Sequence, residues 1–285
     1  MAMTVPQVFD KRRCELGEGP LWHPERGQLF WFDILGKRLL SRDETGARQW
    51  QFDEHVSAAG WIDRDSLLIA SQTALFAFEI ETGARSDIVP LEANNPVTRS
   101  NDGRADPFGG FWIGTMGKAA EPGAGAIYRF FEGKVERLFA GITISNAICF
   151  APDGRTAYFA DTVERRIQRQ KLDDAGWPEG APKVFVDLSR DGLNPDGAVV
   201  DAEGCLWNAQ WGASRIARYA PDGVFLSAIS IPARQTSCPA FGGAELKTLF
   251  ATSAAEGIDA PADGDGLTFS ADTGITGQAE HRVKV

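Results

Sequence analysis

Short apolar segments separated by turn residues recur along the whole chain. Clear examples are Leu29–Phe32, Ala74–Phe78, Gly110–Ile113, Ala157–Ala160 and Arg215–Tyr219. Dipeptides that suit tight hairpin turns stand between such segments, among them Asp153-Gly154, Glu203-Gly204 and Asp222-Gly223. Apolar residues do not recur at helical spacing over any long stretch. The pattern therefore predicts an all-β chain of short strands joined by hairpins.

The apolar segments also form a repeat. Gly27–Phe30 resembles Gly204–Trp207, and the stretches that follow each of them end in a similar Asp-containing turn. One marker position per unit can be assigned at Phe30, Leu68, Trp112, Tyr158, Trp207 and Phe250, with gaps of 38, 44, 46, 49 and 43 residues. A period of roughly 40–50 residues with four strands per unit is typical of a β-propeller blade. We expect residues 1–285 to form a single domain, a six-bladed β-propeller with four antiparallel strands per blade.

The last unit is shorter than the others. Only 35 residues follow Phe250, too few for a separate seventh unit. We expect the last blade to be completed by pairing of the N- and C-terminal strands, with Gln7–Phe9 next to Arg282–Val285. Such closure of the ring removes exposed strand edges.

Four oxygen-bearing residues occupy one offset in the repeat. Glu18, Asn101, Asn146 and Asp196 each lie 11 or 12 residues before a marker, where the innermost strand of a blade is expected. The other two units have Val56-Ser57 and Cys238-Pro239 at this offset. Inner strands line the central channel of a propeller, so we expect an oxygen-rich cage there. Such a cage suits Ca²⁺, Mg²⁺ or Mn²⁺, and its carboxylates also allow Zn²⁺.

Each of these residues also has an ordinary structural interpretation. Asp196 lies in a Pro-Asp-Gly tripeptide that recurs at 152–154 and 221–223, where it is expected in hairpin turns. Glu18 could be a solvated loop carboxylate, and Asn101 and Asn146 could cap turns. The shared offset of all four favours a common site over four separate turn residues.

Composition and charge exclude several classes of function. The net charge is -10, from 39 acidic and 29 basic residues, and no Lys/Arg cluster exists that could bind phosphate backbones. Nucleic acid and anionic membranes are therefore not expected as partners. The chain has no apolar run of 18 residues and its first residues are polar and charged, so we expect a cytoplasmic location.

Other catalytic chemistries find little support. The four cysteines, Cys14, Cys149, Cys205 and Cys238, form no C-x-x-C pair, and we expect buried free thiols. The three histidines lack metal-site spacing, and no G-x-S-x-G, P-loop or G-x-G-x-x-G motif follows a strand. His23, His55 and most tryptophans are expected to fill the core, whereas Trp211 could belong to the core or to the site.

The motifs around the offset residues resemble a known family. They are Leu16–Trp22, Arg99–Gly103, Gly114–Met116, Ile144–Asn146, Pro195–Gly197, Val200–Gly204 and Phe241–Gly243. In this order, and over essentially the full length, they are similar to the regucalcin/gluconolactonase (senescence marker protein) family. The resemblance implies a six-bladed propeller that hydrolyses sugar lactones with one divalent metal ion.

The resemblance also implies individual roles. Glu18, Asn146 and Asp196 match the family's metal ligands, while Arg99 and Asn101 match residues that contact substrate. Glu121 aligns with a family glutamate near the sugar hydroxyls. Three departures leave the substrate range open: Ser100 where an aromatic is frequent, Ala147 where glycine is common, and a shortened segment at Glu256–Gly266.

Lactone hydrolysis requires an attacking water and relief of charge on the carbonyl oxygen, which one metal ion can provide without a covalent nucleophile. Asp196 is the candidate general base, although it could act only as a ligand. The metal (Ca, Zn, Mn or Mg), the particular aldonolactone and any protein partner stay open. Two alternatives also stay open: a metal-dependent hydrolase of other esters or organophosphates, and a non-catalytic calcium-binding propeller. Arg99 and Asn101 favour a polyhydroxylated ligand over an apolar ester.

Overall fold

The computed structural model describes residues 5–285. Within that range, 24 strands form six four-stranded antiparallel sheets, which confirms the predicted fold class. Blades 1 to 3 consist of β2 (Gly17–His23), β3 (Gln28–Asp33), β4 (Arg38–Asp43) and β5 (Gly46–Gln51); β6 (Val56–Asp63), β7 (Ser66–Ser71), β8 (Ala74–Glu79) and β9 (Arg85–Pro90); and β10 (Thr98–Ala105), β11 (Phe111–Gly117), β12 (Gly125–Phe131) and β13 (Lys134–Ile142).

The remaining blades follow the same order from the inner to the outer strand. Blades 4 to 6 consist of β14 (Ser145–Phe150), β15 (Thr156–Asp161), β16 (Arg166–Lys171) and β17 (Lys183–Asp187); β18 (Asn194–Val200), β19 (Leu206–Trp211), β20 (Arg215–Tyr219) and β21 (Phe225–Ser230); and β22 (Gln235–Gly242), β23 (Thr248–Ala254), β24 (Thr268–Asp272) and β1 (Gln7–Asp10). A 3-10 turn at Thr162–Glu164 follows β15.

All six marker residues lie in the second strand of their blade, so the repeat predicted from the sequence is correct. These strands are sandwiched between neighbouring blades; β3 and β7, for example, are buried along their whole length. The outer strand β5 instead alternates between half-buried and exposed positions. Apolar residues therefore concentrate in the second strands, where burial contributes most to stability.

The inner strands form a closed ring. Each of them contacts the inner strands of the two neighbouring blades, and β22 of blade 6 contacts β2 of blade 1. The ring is closed by backbone hydrogen bonds in blade 6, in which the N-terminal strand β1 pairs with β24, the last strand of the chain. Pairing of N- and C-terminal strands is thus confirmed.

The prediction of which segment pairs with the N-terminal strand was wrong. Val8 pairs with Phe269, not with a residue of Arg282–Val285. The reason is that β24 already supplies a third strand to blade 6 and leaves an edge for β1. The final residues continue beneath the ring, where the backbone N–H of Val283 donates to the Trp61 carbonyl at 2.9 Å.

The C-terminal segment, residues 276–284, crosses one end of the channel. Gln278 Nε2 donates to the carbonyls of Phe150 and Val200, at 3.1 and 3.0 Å. Further along, Glu280 forms an ion pair with Arg104. These contacts lie at or near the C-terminal ends of inner strands, whereas the offset residues lie near their beginnings. The segment therefore covers the end of the channel opposite to the candidate site.

Aromatic side chains pack between neighbouring blades. Trp112 of blade 3 meets Phe150 of blade 4 edge-on at 5.4 Å, and Trp207 of blade 5 meets Phe241 of blade 6 in the same way at 5.6 Å. The four cysteines are buried and free, as expected. Among the described residues, no helix is long and apolar enough to span a bilayer.

Candidate active site

A register shift occurs in every inner strand close to the predicted offset. The shifts lie between Glu18 and Leu21, Val56 and Ala58, Ser100 and Gly103, Asn146 and Cys149, Pro195 and Ala198, and Thr236 and Pro239. A bulge of this kind redirects side chains at a strand. The offset residues therefore lie within or directly beside a bulge, which explains how four separate blades direct polar groups at one place.

Glu18, Asn146 and Asp196 line one cavity of about 450 Å³ at the open end of the channel, here called the mouth cavity. They are 5%, 3% and 4% exposed, respectively. The side chain of Asn146 is held by its Nδ2, which donates to Thr162 Oγ1 at 2.8 Å. The amide oxygen, which accepts only a long hydrogen bond of 3.4 Å from Asn101 Nδ2, is the group that Asn146 offers to a ligand. The structure thus brings the three predicted metal ligands together.

The two carboxyl groups at this site lie close enough to each other to interact directly. Burial, together with the nearby charge of Asp102, raises the pKa of Glu18 to about 8. Burial and the adjacent Glu18 carboxylate raise the pKa of Asp196 well above its usual value. Both shifts have the same cause, because desolvation and like charges disfavour ionisation.

This arrangement fits a hard divalent cation. Its donors are two carboxylates and one amide oxygen, all from oxygen, with neither sulfur nor imidazole. In the described part of the chain, no cationic side chain hydrogen-bonds to Glu18 or Asp196. Arg99 acts on Glu18 through its charge but forms no hydrogen bond to it, so the buried carboxylate pair has no directly bonded countercharge. Such a pair is costly, and a bound cation removes that cost.

Blade 3 supplies the predicted substrate-binding residues. Arg99, only 6% exposed, donates from Nη1 to the Ser100 carbonyl at 2.9 Å and to Asn101 Oδ1 at 2.7 Å. Asn101 in turn donates from Nδ2 to the Ser145 carbonyl at 2.8 Å. Burial lowers the pKa of Arg99 to about 10, opposed by the charges of Glu256, Glu18 and Asp196. Arg99 and Asn101 both line the mouth cavity.

Glu121 lies beside this cavity but is not among its lining residues. Its carboxylate accepts a hydrogen bond from the backbone N–H of Ala119 at 3.1 Å. The lining at this place comes from Lys118, Ala119 and Ala120 instead. A direct contact of Glu121 with substrate therefore stays a prediction.

Three polar or aromatic residues of blades 5 and 6 complete the cavity wall. Trp211 ends β19, Gln235 begins β22, and Glu256 follows β23 by two residues. Sequence reasoning left Trp211 open and did not select Gln235 or Glu256. They lie at strand ends or in a loop, away from the offset that the blades share. The repeat in the sequence therefore does not predict that they line the cavity.

A second acidic cluster lies elsewhere, at Asp201, Glu203 and Cys205, whose ligand atoms are within 4.8 Å of one another. Arg218 already pairs with both carboxylates, with Nη2 at 2.7 Å from Asp201 and 2.5 Å from Glu203. Trp207 Nε1 also donates to Asp201 at 2.9 Å. Burial raises the pKa of the Cys205 thiol, which disfavours the thiolate that a metal requires. The ion pairs with Arg218 therefore account for this cluster of acidic residues without a metal ion.

Comparisons with known proteins agree with this architecture. The model of the SMP-30/gluconolactonase/LRE-like region matches residues 16–255. The L-arabinolactonase of Azospirillum brasilense is 37% identical over 281 residues, covering 95% of this chain and 92% of that protein. The pentonolactonase of Haloferax volcanii is 33% identical over 293 residues, covering 99% of each. A crystal structure of the calcium-binding protein regucalcin from Agrobacterium tumefaciens is 40% identical, with a TM-score of 0.95 over 99% of this chain and 98% of that one.

Proposed function

This chain belongs to the SMP-30/gluconolactonase/LRE-like family, and we propose that it hydrolyses a sugar lactone of the aldonolactone class to the aldonic acid, using one divalent metal ion, in carbohydrate catabolism. Relatives that span nearly the whole chain are named as lactonases of pentonolactone and arabinolactone, which supports the reaction class. The observation that carries the proposal is the convergence of Glu18, Asn146 and Asp196 on a cavity that Arg99 and Asn101 also line.

Glu18, Asn146 and Asp196 are the residues that would hold the metal ion. When bound, such an ion supplies Lewis acidity toward an ester carbonyl and toward water. The oxygen-only donor set suits Ca²⁺, Mg²⁺ or Mn²⁺, and Zn²⁺ is compatible through the carboxylates. The remaining requirements of hydrolysis fall on the side chains of the protein.

Hydrolysis forms a bond between the water oxygen and the lactone carbonyl carbon and breaks the bond from that carbon to the ring oxygen. Asp196 accepts the proton of the attacking water, because it is a carboxylate that lines the same cavity as the other proposed ligands and the substrate-binding residues. The same proton is then available to the departing ring oxygen. The product is an open-chain aldonate.

Arg99 and Asn101 orient the substrate. Their mutual hydrogen bond and the anchor of Asn101 to the Ser145 carbonyl fix both side chains before any ligand arrives. A prepositioned guanidinium and amide can hold sugar hydroxyls in directional hydrogen bonds, which keeps the reacting carbonyl in place.

A non-catalytic calcium-binding propeller is the second candidate, favoured by the similarity to a protein described as calcium-binding. It shares the metal site with the first candidate but predicts no turnover. A single set of assays therefore distinguishes the two functions.

The test is a pH-indicator assay with a panel of aldonolactones, with spontaneous hydrolysis subtracted. We expect activity that is lost on chelation and restored by one equivalent of Ca²⁺, Mg²⁺, Mn²⁺ or Zn²⁺. Full activity in a rigorously metal-free preparation contradicts the metal requirement. Metal binding without hydrolysis of any lactone favours the calcium-binding alternative.

A further inference from the structure

The mouth cavity has two facing walls. In a closed ring of six blades, blade 6 lies opposite blade 3. Arg99 and Asn101 belong to blade 3, whereas Gln235 and Glu256 belong to blade 6, with Trp211 beside them in blade 5. A ligand held by the blade 3 residues therefore has the blade 5 and 6 residues on its other side.

Two polar groups of this second wall have no partner in the protein. Gln235 Oε1 is buried without a hydrogen bond within residues 5–285. Among the same residues, the carboxylate of half-buried Glu256 makes no hydrogen bond either, and the charges that act on it are the cation of Arg99, across the cavity, and the carboxylate of Glu15. Burial raises the pKa of Glu256, which reflects the loss of water around it. Buried polar groups without partners are costly, and a polar ligand removes that cost.

Trp211 adds an apolar surface to the same wall. Its partly buried side chain packs against the core cluster that contains Leu16 and Ala254, while part of it lines the cavity. A sugar ring presents C–H groups on its faces and hydroxyl groups around its edge. An aromatic surface flanked by an amide and a carboxylate matches both features.

We propose that Trp211, Gln235 and Glu256 form a subsite for the hydroxyl groups of the lactone that lie away from its reacting carbonyl, and that Glu256 selects against lactones with an anionic terminal group. This inference rests on the proposed lactonase function and names the residues that determine which lactones are bound. Glu256 accepts a hydrogen bond from a neutral hydroxyl, and hydrogen bonds to a charged acceptor are stronger than neutral ones. The same negative charge repels a phosphate or sulfonate placed there.

Lys118 does not cancel this effect. It lines the blade 3 side of the cavity, and its Nζ donates to the Pro96 carbonyl at 2.9 Å. Its ammonium group is therefore held on the wall opposite to Glu256. Of Trp211, Gln235 and Glu256, which form the second wall, only Glu256 carries a charge, and that charge is negative.

The test compares Glu256→Gln with Asp259→Asn, a matched loss of charge three residues later at an exposed carboxylate that does not line the cavity. The substrates are gluconolactone and its terminally phosphorylated form, phosphogluconolactone. For Glu256→Gln we expect KM to rise about threefold or more for the neutral lactone and to fall about threefold or more for the anionic one, with kcat within about twofold. Opposite shifts of this kind do not arise from partial misfolding.

A shift of both KM values in the same direction, no shift, or a loss confined to kcat overturns the assignment. The same pair of opposite shifts in Asp259→Asn overturns it as well, because the effect is then not specific to Glu256. Gln235→Ala should raise KM for both lactones without changing the ratio between them, since it removes a hydrogen bond but no charge. An unchanged KM in that variant removes Gln235 from the subsite.

Wild-type turnover separates this inference from the proposed function. If the wild-type protein hydrolyses no lactone with any metal, lactonase function fails independently of the subsite. Calorimetric titration with gluconate and phosphogluconate then measures the same opposite shifts as changes in affinity. Absence of these shifts contradicts the subsite, whatever the activity.

Discussion

The carboxyl groups of Glu18 and Asp196 lie close enough to each other to share a proton, although they belong to blades 1 and 5. A hydrogen bond between two carboxyl groups requires that one of them keeps a proton. Burial and mutual repulsion favour that proton at neutral pH, since two adjacent charges in a desolvated site are disfavoured. A divalent cation at this site therefore competes with a proton.

We predict that metal binding releases a proton and tightens as the pH rises. The pKa of Glu18 is raised to about 8, so the proton opposes the cation below that pH and no longer does so above it. The apparent affinity should rise about tenfold per pH unit toward that value for each proton displaced. Calorimetry in two buffers of different ionisation enthalpy measures the release directly. Equal binding enthalpies in both buffers contradict the prediction, and Glu18→Gln should reduce the release.

Much of the fold follows from the sequence because each blade repeats the same burial. The second strand is covered on both faces, so markers such as Trp112 and Tyr158 recur at blade spacing. The innermost strand precedes that marker by a nearly constant number of residues. For this reason the repeat also predicted that Glu18, Asn146 and Asp196 are neighbours in space. Local pattern and ring symmetry are sufficient for these features.

What the sequence did not reveal lies outside the repeat. The C-terminal segment crosses several blades through isolated contacts, such as that of Gln278 with Phe150, and such contacts leave no periodic pattern. Glu256 lies in an irregular segment after β23, and its position in the cavity depends on closure of the ring. Long-range placement of this kind requires the three-dimensional structure.

The ion pair between Arg104 and Glu280 should contribute strongly to stability. Their side chains are only 12% and 7% exposed, so Glu280→Gln leaves a buried guanidinium without its countercharge. We expect a loss of about 3–5 kcal/mol in the free energy of unfolding. The control is Asp174→Asn in the exposed pair with Arg155, which should cost less than about 1 kcal/mol. Urea denaturation measures both; similar losses in the two variants contradict the role given to the C-terminal segment.

The cysteines should be unreactive in the folded protein. Burial raises the pKa of the Cys14 thiol to about 12, and it also raises the pKa values of Cys149, Cys205 and Cys238. Thiolates are the reactive species, so a chromogenic disulfide reagent at mildly alkaline pH should find no thiol in the native state. After denaturation it should titrate all four. Rapid reaction of any native cysteine would show that its blade opens readily.

Three Pro-Asp-Gly tripeptides provide an internal control for the proposed metal site. Asp153 and Asp222 lie in exposed hairpin turns, where each accepts a backbone N–H two residues later, at 2.8 and 3.1 Å. Asn keeps that acceptor and tolerates the same turn conformations. Asp153→Asn and Asp222→Asn should therefore leave metal affinity and turnover within about twofold and stability within about 0.5 kcal/mol.

Asp196 has the same neighbours in sequence but a different environment. It is 4% exposed inside β18, within the bulge between Pro195 and Ala198, and its carboxyl group lies next to that of Glu18. Asp196→Asn removes a ligand charge and the candidate base, and turnover should fall by about 100-fold or more, with Glu18→Gln giving a comparable loss. Metal titration by calorimetry on the three aspartate variants, with lactone hydrolysis at saturating metal, provides the comparison. If either turn variant weakens metal binding as much as Asp196→Asn, the metal site is not where the blade offset places it.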